Sequence, residues 1–233
     1  MWIRYVEDTV APVELSQVRL RDFAGSVPWR RWRSHRGQAH LSGSYWAATT
    51  GGHVVYESRL ELARLLLADF DPDVSEVWAQ PCRLVATVDG VERSHVPDFL
   101  LAWCSGEATV VNVKPADRLR HAKVAAALAW PRALITGHGW GYEVWSGCNA
   151  VVLENVRFLA GYRRAGLVCE ELLGRARREV RDGEALGEAE YRLAGDRPGW
   201  TVRPALLTLL WRGEFSTDLS RPLSGASILR RRR

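Results

Sequence analysis

Cysteine is scarce. The chain has four, Cys82, Cys104, Cys148 and Cys169, and none of them forms a C-x-x-C pair. A structural zinc site is therefore not expected. Nothing that reads as a secretory signal opens the chain at Met1-Trp2-Ile3-Arg4, so the thiols are expected to be reduced and the protein cytoplasmic. No apolar run reaches the roughly 18 residues of a membrane span. The longest candidate, Val124 to Trp130, is short and stops at Pro131. Internal repeats are absent, and so is low-complexity sequence apart from the final Arg230-Arg231-Arg232-Arg233. That run reads as a mobile tail with an affinity for phosphate.

What is present suits a globular protein with a sizeable core, since 47% of residues are hydrophobic. The formal net charge of +5 and a pI near 9.3 are compatible with nucleic acid without requiring it. Eleven Trp outnumber both the six Tyr and the five Phe, and such large aromatics ordinarily serve the core. Two of them, Trp29 and Trp32, alternate with cations in Pro28-Trp29-Arg30-Arg31-Trp32-Arg33-Ser34-His35-Arg36. Alternation of this kind can grip a phosphate backbone and stack on bases, making Arg30, Arg31, Arg33 and Arg36 candidate DNA contacts. A solvated basic loop anchored by its tryptophans is an equal alternative.

Leu60, Ala63, Leu66 and Leu67 recur at helical spacing, which predicts a helix over Val54 to Phe70, stopped at Asp71-Pro72-Asp73. Val74 to Gln80 and Cys82 to Val88 read as strand segments broken at Pro81, and Asp89-Gly90 as a hairpin turn. Val96 to Trp103 and Thr109 to Val113 read as two strands joined by a short polar link. A helix is expected over Ala116 to Trp130, with a basic start at Arg118, Arg120, His121 and Lys123, followed by strands over Arg132 to Thr136 and Tyr142 to Trp145. Helices are expected over Asn149 to Arg164, Cys169 to Gly183 and Trp200 to Trp211, then a turn or wing over Phe215 to Ser224. A domain boundary is expected near Ala165, separating 1–164 from 165–233.

The second strand pair carries two unexpected charges, Asp98 and Lys114. A charge within a β-rich strand is costly unless it does something there. If the strands run antiparallel, both fall near one end of the sheet. An ion pair across a half-exposed sheet is the plainer explanation. A metal-dependent phosphodiesterase centre is the sharper one. Hydrolysis of a phosphodiester needs an activated water and stabilised charge on the phosphoryl oxygens, and a hard divalent cation supplies much of both. Mg²⁺ (or Mn²⁺) is held by oxygens, usually with only one or two carboxylates. Asp98 with a glutamate from the preceding helix and the Val113 carbonyl would suffice, leaving Lys114 to orient or deprotonate the water. Glu57 and Glu61 share a helix face, and a lone glutamate there is ordinarily a surface acid.

Pro97-Asp98, a hairpin, then Asn112-Val113-Lys114 resembles the PD-(D/E)xK motif of restriction-endonuclease-like nucleases. More closely, Ser58-Arg59-Leu60-Glu61-Leu62 with Phe70-Asp71-Pro72, Gln80-Pro81, and Val111-Asn112-Val113-Lys114-Pro115-Ala116 resemble the TnsA-type transposon endonucleases, over roughly Tyr45 to Arg164. The resemblance implies an α/β fold: a restriction-endonuclease-like core, with a mixed central sheet flanked by helices, and a small, mostly helical, winged-helix-like C-terminal domain. It implies Glu61, Asp98, Asn112 and Lys114 as catalytic residues, with Glu61, Asp98 and Val113 holding the metal. Asn112 departs from the general acidic position. The resemblance further implies cutting of the 5′ ends of a mobile element in double-stranded DNA, in company with a DDE-type transposase subunit and an ATP-dependent regulator, and no membrane. A stand-alone restriction- or repair-type endonuclease and a non-catalytic DNA-binding subunit are the alternatives.

Overall fold

The computed structural model of the protein describes residues 1–6, 9–30 and 42–232. They form two compact units, Met1–Asp69 with Asp73–Gly147, and Phe70–Pro72 with Cys148–Arg233. The division between Gly147 and Cys148 lies ahead of the boundary expected near Ala165. Its cause is the helix after Gly147, whose Val156 and Leu159 are fully buried within the second unit.

The first unit is α/β, built on a mixed four-stranded sheet. Short strands β1 (Trp2–Arg4) and β2 (Val10–Pro12) pair near the start, and β3 (Gly43–Ala47) with β4 (Gly52–Tyr56) forms a hairpin. Helix α1 (Arg59–Phe70) follows, then β5 (Val74–Ala79), the hairpin β6 (Leu84–Val88) and β7 (Val91–His95), and the central strands β8 (Phe99–Trp103) and β9 (Ala108–Val113). Short α2 (Ala116–Leu119), long α3 (Ala122–Gly137) and β10 (Gly141–Trp145) complete it. The sheet order is β10-β9-β8-β5. β5–β8 and β8–β9 pair antiparallel, as expected for the latter, and β9–β10 pair parallel across the α2–α3 crossover.

Alternation along the strands decides which residues meet the core. Leu100 and Val110 are fully buried on one face against Ile3, Val18, Phe23, Leu84 and Ile135. Phe99, Leu101 and Val111 take the opposite alternation and are equally buried. Arg64 of α1 ties that helix to the sheet by donating to both carboxylate oxygens of Glu143 on β10. Asp69 near its other end accepts the Tyr45 hydroxyl at 2.6 Å and the Thr49 amide at 2.8 Å, fixing the β3–β4 hairpin.

Three element expectations are corrected. The first helix starts at Arg59, not Val54, because Val54 and Val55 extend β4 and Ser58 opens the helix. Arg132 to Thr136 is not a strand but the last part of α3, which runs through Pro131. Proline removes one hydrogen bond from a helix, yet Pro131 and Ile135 are both buried, and tertiary packing overrides the local breaker and the β-branched run. The single helix expected over Ala116 to Trp130 is divided at Arg120–His121.

In the second unit, α4 (Ala150–Leu159), α5 (Glu170–Glu179), α6 (Leu186–Ala194) and α7 (Arg203–Trp211) precede a two-stranded pair, β11 (Phe215–Ser216) with β12 (Arg230–Arg231). α6 was not anticipated; Gly187 and the exposed polar positions dilute its apolar pattern. α7 is the interior of this unit, every residue from Ala205 to Trp211 being buried. The expected mobile arginine tail is instead ordered through Arg232: β12 pairs with β11, and the Arg231 guanidinium donates to the carbonyls of Arg177 and Val180 at 2.6 and 2.7 Å. Among the described residues no helix is long and apolar enough to cross a membrane.

Candidate active site

Asp98 immediately precedes β8 and faces β9. Its backbone N–H donates to Val111 O (3.1 Å), which extends the β8–β9 ladder by one hydrogen bond. Its side chain is buried, and Oδ2 accepts two donors: the Val113 amide at 2.6 Å and the Lys114 ammonium at 3.2 Å. The same ammonium donates to the Val113 carbonyl at 2.9 Å. Lys114 is itself fixed at the backbone, donating to Trp145 O of β10 at 2.9 Å. A buried carboxylate is thus held by a main-chain donor and a cation, both from the end of one strand. Such a group needs both, because ionised oxygens taken out of water must find donors.

Glu61 sits in the first turn of α1, where Ser58 opens the helix. Ser58 Oγ accepts the Glu61 amide at 3.1 Å, while the Glu61 carboxylate accepts the Glu57 amide at 2.7 Å and the Ser58 hydroxyl at 3.0 Å. This is a variant of the capping box, in which helix-start side chains satisfy orphan amides reciprocally. Burial pushes the Glu61 carboxyl above the ordinary glutamate range, with the cap hydrogen bonds opposing and the nearby Asp98 charge adding to the rise. The structure therefore brings Glu61 and Asp98 into electrostatic reach of each other. Glu57 accepts from Arg30 at 2.7 Å in an ion pair that remains a third to a half exposed.

Asn112 is fully buried on β9, two residues before Lys114 and on the same face. Its Oδ1 lies 2.6 Å from His95 Nε2, at the end of β7. Its Nδ2 is buried, with no hydrogen-bond partner among the described residues. His95 stands edge-on to Trp130 of α3, with ring centroids 6.2 Å apart, and burial lowers its pKa against the opposing Asn112 hydrogen bond. The sequence gives no sign of the contact between His95 and Asn112, since β7 carries no apolar alternation to mark its register.

Gln80 was likewise read only as part of a strand signature. It has a left-handed backbone (φ 46°), rare outside glycine, between β5 and Pro81. Its amide donates to Asp98 O at 2.9 Å, its carbonyl accepts the Trp29 amide at 3.0 Å, and its side-chain oxygen accepts the Arg30 amide at 2.9 Å. Gln80 thereby fastens the Trp29–Arg30 segment to the strand that bears Asp98.

Of the basic candidates, Arg30 is brought to the site's margin and Arg31, Arg33 and Arg36 lie outside the described residues. Lys123 is exposed in the first turn of α3, as are Arg118, Arg120 and His121 just before it. That turn holds no acid. Cations at a helix start oppose the helix dipole, so they are not there to stabilise α3.

The oxygens that could hold a divalent cation are the Glu61 and Asp98 carboxylates and the Val113 carbonyl. Among the described residues no group of three or more His, Cys, Asp or Glu side chains is placed to hold a metal ion. A Glu61 carboxyl whose ionisation the Asp98 charge makes costlier, beside a carbonyl and a neutral amide, nevertheless fits a hard cation that takes one or two carboxylates and keeps its waters. No protein-family model matches the chain, and no curated protein matches it.

Proposed function

We propose that the protein is a metal-dependent DNA endonuclease, the subunit of a heteromeric transposase that hydrolyses phosphodiester bonds at the 5′ ends of a mobile element. The observation that carries this reading is the buried Asp98 carboxylate held by the Val113 amide and the Lys114 ammonium, with Glu61 in electrostatic reach. The element order around it, helix, three antiparallel strands, helix, parallel strand, supports a restriction-endonuclease-like core of the TnsA type. The exposed cations at the start of α3 and Arg30 support a double-stranded DNA substrate, handled in the cytoplasm. The DDE-type transposase and ATP-dependent regulator belong to the same proposal as partners, and so does a winged-helix-like role for the second unit.

On this reading Glu61, Asp98 and the Val113 carbonyl hold Mg²⁺ or Mn²⁺, which supplies Lewis-acid stabilisation of phosphoryl charge and a more acidic water. Asp98 fixes the Lys114 ammonium at the strand end. Lys114, about one-third exposed, donates to the incoming phosphate or takes up the proton of the attacking water after losing its own. Asn112 contributes a neutral amide where an acid would add charge.

A non-catalytic DNA-binding subunit is favoured by one observation: both Glu61 oxygens are already engaged in the helix cap. The test is nicking of supercoiled plasmid and of DNA carrying the element's ends, with Mg²⁺ or Mn²⁺, by the purified chain alone and with its transposase partner. Metal-dependent nicks lost in Lys114→Ala support the endonuclease. DNA binding without nicking under any of these conditions supports the second reading and overturns the first.

A further inference from the structure

Asn112 is fully buried, yet among the described residues its amide nitrogen has no partner, while its oxygen is spent on His95. A side-chain amide is nearly symmetric in shape. A half-turn about Cβ–Cγ exchanges oxygen and nitrogen without moving a neighbour. With Asn112 Oδ1 facing the ring, an oxygen that can only accept, Nε2 must carry the His95 proton and donate it. In the turned arrangement His95 carries its proton on Nδ1, Nε2 accepts from Asn112 Nδ2, and the amide oxygen occupies the place of the orphaned nitrogen. No proton is gained or lost overall; it moves between the two ring nitrogens through solvent, and the amide rotates. The turned arrangement satisfies the buried donor and leaves a carbonyl oxygen, with its two lone pairs, as the group without a partner.

We propose that His95 is a positioning residue that sets the orientation of the Asn112 amide, accepting from Nδ2 when a divalent cation is present so that Oδ1 is presented to it beside Asp98. The register supports the placement: Phe99 pairs with Val111, which sets Asp98 opposite Asn112 across the β8–β9 ladder. His95 is held for the task by its place at the end of β7, opposite Leu84, and by Trp130 against its ring. The inference rests on the metal-centre reading and supplies what that reading lacks, a means for a neutral amide to act where a carboxylate would need no help. A carboxylate is symmetric under the same half-turn and shows an oxygen either way.

The test is long-range ¹H–¹⁵N NMR of the full chain, with Mg²⁺ alone as the probe, reading which ring nitrogen of His95 is protonated. The expected result is a shift from the Nε2–H to the Nδ1–H tautomer as Mg²⁺ is added. An unmoved tautomer, while Mg²⁺ shifts the backbone resonances of Asp98 and Val113, would overturn the proposal and leave the metal centre standing. If Mg²⁺ shifts none of these resonances, the metal-centre reading fails and this inference with it. A calorimetric cycle with Mn²⁺ gives an independent reading. His95→Phe is expected to weaken binding about tenfold with Asn112 present, the usual cost of losing a partner that orients a ligand, and far less in the Asn112→Asp background. Equal losses in both backgrounds would count against the proposal.

Discussion

The Lys114 ammonium lies 3.2 Å from the Asp98 carboxylate, across the end of the β8–β9 ladder. An ion pair about one-third exposed on its lysine side contributes little to stability, about 0–1 kcal/mol. Asp98 also takes the buried Val113 amide, and stranding that donor costs about 1–3 kcal/mol. Lys114→Ala is therefore expected to melt close to wild type while losing about 10²–10⁴-fold in metal-dependent nicking, the range of a proton-transfer or phosphate-orienting group. Asp98→Ala should lose activity and a few degrees of melting temperature together. Plasmid nicking and thermal denaturation, run on the same preparations, check both. A folded Lys114→Ala with wild-type activity would remove lysine from the mechanism.

The two glutamates of the helix start should part company. Glu61 is partly buried in the cap and within reach of Asp98, whereas Glu57 faces Arg30 at the margin. Glu61→Gln is expected to abolish nicking and Glu57→Gln to retain most of it. Ser58→Ala removes the hydroxyl that holds Glu61 Oε1 and accepts its amide, at about 1 kcal/mol of helix stability. It also releases one oxygen of Glu61, so Mn²⁺ affinity by calorimetry should be equal to wild type or higher. Weaker Mn²⁺ binding in a folded Ser58→Ala would mean that the capped rotamer is the liganding one.

The parts of this centre differ in how far the sequence exposes them. Asp98 and Lys114 are visible because a charge in a β-rich run is out of place, and the turn signals between their strands set the antiparallel pairing. Glu61 is visible only through resemblance, since a glutamate in the first turn of a helix has an ordinary capping explanation, and the structure shows it serving that role too. His95 and Gln80 leave no pattern. The first matters through a contact with Asn112, 17 residues away, and the second through a left-handed backbone that glutamine does not advertise. The same limit explains α3. Pro131 followed by Ile135 and Thr136 reads locally as a break and a strand, and only the buried environment of Pro131 and Ile135 keeps the helix going.

DNA binding should depend on salt through the phosphate contacts. Arg30 holds Glu57 at 2.7 Å in a solvent-exposed pair that a phosphate can replace, and Lys123 is exposed on α3 without any acid in its turn. Each contact adds about one unit to the slope of log K against log salt. Arg30→Ala and Lys123→Ala are each expected to reduce the slope by about one, and to weaken binding similarly for unrelated sequences, measured by fluorescence anisotropy across about 50–200 mM salt. An unchanged slope for Lys123→Ala would take α3 off the DNA path.

Acid should weaken the second unit through Glu184. Arg192 grips both of its carboxylate oxygens at 2.9 and 2.8 Å and the Arg181 amide adds a third donor at 3.0 Å. The Arg192 hydrogen bonds hold the carboxyl below its ordinary value of 4.5, and Arg177 does the same for Glu214. A carboxylate whose folded pKa is depressed binds fewer protons in the folded than in the unfolded state over the interval between the two values. The stability it contributes is present above the ordinary glutamate pKa and is lost as pH falls through the folded one. Glu184→Gln should therefore destabilise the protein by about 1–3 kcal/mol near neutral pH, the worth of hydrogen bonds to a charged group. The gap to wild type should narrow as pH falls below about 4. Denaturant unfolding followed at several pH values checks this. A gap that stays constant down to about pH 3 would show that the loss comes from packing or from the hydrogen bonds themselves, and not from the charge on Glu184.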